Sequence, residues 1–411
     1  MTYLNNPSRK PIISIAVVTA VCLLGNEMLF IVMPLYWKFF GLTSLWQVGM
    51  LLSANRIIRI PLNPLVGWCY ERFGNRLCIM VAVVLAAAST FSYGIVKGFW
   101  LLLFARCMWG IAWSLFRIGG YLTILSSSNS KTRGQYVGLY NGLWGLGTLI
   151  GMLVGGVLAD LIGIQTATNL FGVLAACSIL IVFRFIENTK ERGPIRLMKK
   201  TKDFSIWQNK RIVSALVTGL LVAFVVYGVF ASSLSKLIEL QLNKNVLILG
   251  ISIGAGSLTG FIQALRTGWD PFLAPYLGRK ADQKWGRLPI LIIAIFAAAF
   301  CLGLLPVKLP MVLFIALLLL FQLVTTILIT MSDSIAADLA EGHYQVTVIS
   351  FYTFFSDIGA ALGPLVGFAM IDVFGIQSLY WLTSIIIIPL AVHWFIIIKR
   401  EGSMAVLMKK Q

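Results

Sequence analysis

Long apolar runs separated by short polar breaks organise this chain. A helix that crosses a bilayer needs roughly 20 mainly apolar residues. Twelve stretches meet that measure, near residues 11–36, 44–68, 77–96, 99–124, 135–160 and 167–186, then 211–240, 245–269, 288–306, 309–336, 345–371 and 376–398. Gly and Pro recur inside them, which helices in lipid tolerate better than helices in water. One long polar segment, 187–210, interrupts the alternation at mid-chain. The pattern predicts an all-α membrane protein of twelve transmembrane helices in two six-helix bundles, residues 1–186 and 211–411, with 187–210 as a basic cytoplasmic linker. The first run has no small-residue cleavage site and reads as a retained helix.

Composition agrees. Of 411 residues, 59% are hydrophobic and 12% charged, and mean hydropathy is +0.89. A soluble domain is nearer a quarter charged, so a soluble enzyme, a disordered chain and a fibrous repeat are excluded. The net charge of +18 lies in short runs between the apolar stretches, which argues for membrane edges and against nucleic acid. With both termini placed inside, 23 Lys and Arg fall on the inner side, five on the outer side and five within spans. This bias predicts a multi-pass protein of the plasma (inner) membrane with both termini cytoplasmic. The six cysteines form no CxxC pair, and no metal site or cofactor is expected. The phosphate-binding G-xxxx-G-K-[ST] pattern is absent, which leaves an ion gradient as the energy source.

The two halves repeat at a spacing of 212 residues. Gly147, Gly151 and Gly155 match Gly359, Gly363 and Gly367; Tyr140 matches Tyr352; Asp160 matches Asp372; and Gly163-Ile164-Gln165 matches Gly375-Ile376-Gln377. Rows of Gly at every fourth position let helices approach closely, so these glycines, with Pro364, are expected to pack helices. A second pair of segments follows the second and eighth spans: Gly67, Glu71, Arg72, Gly74 and Arg76 in one, and Gly278, Asp282, Gly286 and Arg287 in the other. Each predicts a tight inner-face turn, permitted by glycine, whose acid and arginines latch neighbouring helix ends and serve as a conformational gate.

On these residues the chain resembles the major facilitator superfamily, whose turn motif is Gly-xxx-Asp-Arg-x-Gly-Arg-Arg/Lys. Glu71 stands at its Asp position and Asn75 at its first basic position. Arg106-Cys-Met-Trp-Gly110 is similar to the Arg-bearing motif of drug/proton antiporters. Gly25-Asn26-Glu27-Met28 is similar to their acid-bearing first helix. The glycine row from Gly147 resembles the antiporter motif, with Met152 where that motif has Pro. The resemblance implies a secondary transporter that works as a monomer by alternating access, with proton coupling at Glu27 and Arg106.

A charge at mid-bilayer costs at least about 2.5–3.5 kcal/mol, so it turns to the protein interior or to water. Glu27, Arg56, Arg59, Arg106 and Arg117 lie within first-half spans and Asp357 within the eleventh. Arg106 and Arg117 are about three turns apart and share a face, with Trp109 and Trp113 beside it. Asn26, Arg56, Arg117, Trp109 and Trp113 are therefore expected to line a substrate cavity, and Glu27, Arg106 and Asp357 to couple protons. The structural alternative is that Glu27 simply pairs with an arginine. Asp160, Asp372 and Glu239 are expected to be solvated at outer ends, and Arg266 to lie near the inner end of its span. The expected function is proton-coupled efflux of a small organic molecule. Uptake of an anionic metabolite by proton symport is the second reading, and a non-transporting receptor or scaffold the third. No HExxH or GxSxG motif supports an enzyme.

Overall fold

The computed structural model describes residues 10–127, 133–186, 205–242, 245–248, 251–281, 283, 286–339 and 345–408. Most of the basic linker and Asp282 lie outside these residues. In chain order the helices are α1 (Lys10–Leu35), α2 (Leu45–Ile57), α3 (Arg59–Phe73), α4 (Asn75–Ile95), α5 (Phe99–Ser127), α6 (Arg133–Ile162), α7 (Ile164–Cys177) and α8 (Ile179–Phe185). After them come α9 (Ser205–Gln208), α10 (Lys210–Ala223), a π-helical stretch Phe224–Phe230 and α11 (Ala231–Leu242). A hairpin of β1 (Asn245–Ile248) and β2 (Ile251–Gly254) precedes α12 (Ala255–Lys280), α13 (Arg287–Leu304), α14 (Met311–Leu339) and α15 (Gln345–Met408).

Nine stretches of the described residues are long and apolar enough to cross a membrane. Three physical details bring the number of crossings to twelve. The second crossing is split into α2 and α3, because Pro61 supplies no N–H and its ring crowds the carbonyl of Ile57 one turn back. The eighth, α12, carries Arg266, Asp270, Arg279 and Lys280, which lower its hydropathy. The eleventh and twelfth run together in α15 and part at Gly375, where φ is +79°. Large apolar side chains face outward along these helices; Trp100, Phe272 and Val312 are 78–79% exposed. A soluble monomer rarely presents such a surface, and lipid accounts for it.

The eighth crossing differs from the sequence expectation. The apolar run 245–269 does not form one helix. Its first ten residues hold the antiparallel hairpin, with Val246 opposite Ile253, and the helix continues to Lys280. Arg266 is therefore mid-helix, and Asp270 lies one turn beyond it on α12. Spacing carried this signal: the first-half turn motif begins inside the second crossing, and applying the repeat to Leu45–Phe73 places the eighth some ten residues later than hydropathy alone does.

The chain packs as two compact units. Unit 1 comprises residues 1–200, 234–239 and 243–267; unit 2 comprises 201–233, 240–242 and 268–411. In unit 1, α1 lies against α6, and α4 lies against α5 and α7. The glycine row makes the first contact possible. A Cβ at Gly147 would sit 2.5 Å from Ala20 Cα, one at Gly151 2.9 Å from Leu24 O, and one at Gly155 2.6 Å from Met28 Cβ. Positions 147, 151 and 155 thus meet 20, 24 and 28, turn for turn. Unit 2 repeats the arrangement: Gly359 rests on the Leu220 carbonyl and Gly363 on the backbone of Gly228 in the π-helical stretch. Gly367 departs from the expectation. A Cβ there would meet only Leu379 side-chain atoms, at 3.5 Å and 3.8 Å, which is ordinary contact.

Gly151→Leu is expected to overpack the α1–α6 seam at a cost of about 1–3 kcal/mol. Gly142→Leu, where a Cβ meets nothing within 4 Å, is expected to change stability little. Thermal unfolding of the two purified variants checks the contrast.

Candidate functional site

The centre of unit 1 holds a chain of three polar side chains from two helices. On α1, Asn26 donates through Nδ2 to Glu27 Oε1 at 2.9 Å. On α5, Arg106 donates through Nη1 to Asn26 Oδ1 at 2.7 Å and through Nε to the Leu51 carbonyl of α2 at 2.9 Å. The carboxamide of Asn26 thus spends its acceptor on the arginine and its donor on the acid. Arg106 is wholly buried, and its Cζ lies 5.9 Å from the ring centroids of both Phe30 and Tyr93. Its Nη2, also buried, has no hydrogen-bond partner among the described residues. The charges of Arg56 and Arg106 both act on the Glu27 carboxyl.

The spacing of Arg106 and Gly110 now has a physical reason. They lie one turn apart on α5, as Leu51 and Asn55 do on α2. Arg106 binds the Leu51 carbonyl, and a Cβ at Gly110 would sit 2.6 Å from the Asn55 carbonyl. The glycine lets α2 come close enough for the arginine to reach its backbone. Gly151 lies directly behind the acid, since a Cβ there would be 3.1 Å from Glu27 Cβ.

The remaining residues singled out from the sequence occupy different surroundings. Arg56 is half-buried at the end of α2, beside the break before α3. Arg117 is half-buried three turns along α5 from Arg106. Trp109 does not line open space: it is 1% exposed and packed in the apolar core with Ala112 and Phe116. Trp113 is half-buried and stacks edge-on against Trp144 at 5.5 Å, a partner the sequence did not suggest. Asp357 is half-buried on α15, in unit 2.

The two turn segments share one geometry. Gly67 and Gly278 lie inside α3 and α12. The turns are made at Gly74 (φ +81°) and Gly286 (φ +74°), in the left-handed region that side chains disfavour. Gly163 and Gly375 do the same in the other repeated segment, at φ +82° and +79°. After the first turn, Arg76 binds the Phe183 carbonyl and lies over its ring at 4.3 Å. Arg72 lies over Trp68 and Phe73, its own helix neighbours. Asn75 uses its amide to bind Thr123 on α5 at 2.9 Å, which accounts for a short polar residue where the family motif is basic. After the second turn, Arg287 binds Asp338 at 2.5 Å and the Ser334 carbonyl at 3.0 Å. Asp282, the acid of that turn, is outside the described residues.

Asp160 is not a freely solvated acid. Tyr36 donates to its Oδ1 at 2.9 Å; the backbone N–H and the hydroxyl of Ser257 donate to its Oδ2 at 2.8 Å and 2.7 Å. It caps the first turn of α12, whose N-terminal end favours negative charge. All three residues belong to unit 1. Its repeat mate Asp372 is exposed. In the nearby loop before α5, Lys97 donates to the Phe39 carbonyl at 2.6 Å, and partial burial lowers its pKa. Asp270, unremarked in the sequence, accepts from Thr326 at 2.5 Å, and Trp269 donates to the same hydroxyl at 3.2 Å.

The Major Facilitator Superfamily sequence model matches residues 15–269 and 271–408. The chain belongs to that superfamily. A major-facilitator-type transporter of Methanocaldococcus jannaschii is 24% identical over 95% of this chain and 99% of its own. Multidrug resistance protein MdtG of Klebsiella pneumoniae is 25% identical over 91% of this chain and 90% of its own. Among solved structures, a bacterial homologue of the human lysosomal transporter Spinster superposes with a TM-score of 0.76 at 15% identity, covering 95% of this chain and 97% of that one. The nucleoside transporter NupG superposes with a TM-score of 0.77 at 11% identity, covering 95% and 99%. This superfamily member is therefore a membrane transporter of small molecules with the twelve-helix major facilitator fold.

Asn26→Ala is expected to leave the buried Arg106 Nη1 without its acceptor and to destabilise the protein by about 1.5–3 kcal/mol. Asp160→Ala is expected to cost a similar amount, because it orphans the donors on Tyr36 and Ser257. Thermal unfolding of each variant against the parent measures both.

Proposed function

We propose that this transporter exports small organic molecules in exchange for protons, by alternating access of its two halves, residues 1–186 and 211–411, on either side of the linker 187–210. The Glu27–Asn26–Arg106 relay is the observation that carries this reading. An ionised Glu27 accepts the Asn26 N–H and draws on the charges of Arg56 and Arg106. Protonation removes that charge and weakens the acceptor. Asn26 then loses its anchor, and with it the acceptor held out to Arg106. Because Arg106 also holds α2 through Leu51, one proton on α1 changes the contacts among α1, α2 and α5. A proton and a substrate that competes for the ionised Glu27 cannot both be held, which is the condition for exchange. The likeness to a multidrug resistance protein along most of the chain supports export. Loop charge supports a plasma (inner) membrane location with cytoplasmic termini. In this reading the α3–α4 and α12–α13 turns act as a gate, Arg56, Arg117 and Trp113 contact substrate, and Asp357 is a second proton-coupling acid.

Proton symport of an anion is the second reading, favoured by the surplus of arginines and the unpartnered Arg106 Nη2. There, protonation of Glu27 would release guanidinium groups to a carboxylate.

Glu27→Gln is expected to abolish the dependence of transport on a pH gradient while the protein stays folded. Arg106→Ala is expected to lower turnover at least tenfold. Reconstituted vesicles loaded with lipophilic cations or carboxylates, in right-side-out and inside-out orientation, test both and fix the direction. Coupling that survives Glu27→Gln removes the acid from the mechanism.

A further inference from the structure

Unit 2 contains a cavity unrelated to the relay. It lies at the end of the unit where α10 and α13 begin and α14 stops, and encloses about 560 Å³. Its rim carries Arg211, Arg287 and Asp338; its walls are apolar, with Trp394, Ile397 and Ile335 prominent. The Trp394 N–H is already given to Thr218 at 2.9 Å, so this indole offers the cavity hydrocarbon only. Arg287 meets Asp338 at 2.5 Å, and that carboxylate is 55% exposed. Lys210 at the start of α10, Arg279 and Lys280 at the end of α12, and Lys399, next to the lining residue Ile398, add positive charge.

We infer that this cavity binds the headgroup of an anionic phospholipid, with the start of an acyl chain against Trp394 and Ile397. Two arginines above a greasy wall match a phosphodiester joined to hydrocarbon, and they match neither a free ion nor a zwitterionic lipid as well. Guanidinium forks bind phosphate in paired hydrogen bonds, and basic pockets between helices at the cytoplasmic edge suit anionic lipids. Asp338 shares Arg287 with the phosphate and acts as its internal competitor. The inference goes beyond transport and depends on unit 2 alone.

Native mass spectrometry of the full chain in detergent, titrated with phosphatidylglycerol, phosphatidylcholine or inorganic phosphate, tests it. Phosphatidylglycerol is expected to bind the tightest site. Arg211→Gln is expected to weaken it about fivefold. Arg279→Gln, on the same end but outside the cavity, is expected to leave it unchanged, and Asp338→Asn to tighten it. Equal binding of the two lipids, equal losses in Arg211→Gln and Arg279→Gln, or free phosphate binding as tightly as the lipid would each overturn the inference. Arg211 is exposed, so its variant serves even where Arg287→Gln fails to fold. The readout is lipid occupancy, so it stands or falls separately from the proton-exchange reading.

Discussion

A guanidinium group sealed among hydrophobic helices has to find acceptors inside the protein, since lipid supplies none. Arg106 meets this constraint with one side-chain carbonyl and one backbone carbonyl from two different helices. Much else follows from that requirement. α2 must come close, so Gly110 is bare of a side chain. Asn26 must present its oxygen, so its N–H turns to Glu27. α1 must hold Asn26 in place, so Gly147, Gly151 and Gly155 let α6 press against its backbone.

Such an arrangement suits a protein that changes shape. Close glycine contacts give rigid helix pairs through van der Waals packing, the main attraction available between helices in lipid. The polar relay is different: it is held by hydrogen bonds among Glu27, Asn26 and Arg106. In the proposed exchange, rigid pairs joined by a titratable joint would form a two-state device, biased by a proton through its differential affinity for the two states. The turns after α3 and α12 repeat this division of labour, with a left-handed glycine fixing the chain direction and an arginine fastening the next helix to a neighbour.

The duplicated sequence does not produce duplicated contacts. Asp160 is bound on three sides, while Asp372 is exposed. Gly155 is crowded, while Gly367 is not. The matched Gly-Ile-Gln segments keep the same backbone turn, because a left-handed residue is a local requirement. The side chains around them have diverged, because their partners come from elsewhere in the chain.

Hydropathy, the glycine row and the repeat were enough to establish the membrane class, the twelve crossings and the close-packing surface of α6, though not that α1 is its partner, since each depends on local composition or helical period. The acid, the arginine and the asparagine of the relay were legible as costly groups within apolar runs, but their connection was not. That Asn26 stands between Glu27 and Arg106, that Asp160 caps α12, that Trp109 is core, and that Asp270 binds Thr326 all depended on how helices distant in sequence meet. Hydrogen bonds and burial are set by positions in space, and a pattern read along one dimension carries them only where neighbours in the chain are also neighbours in the fold.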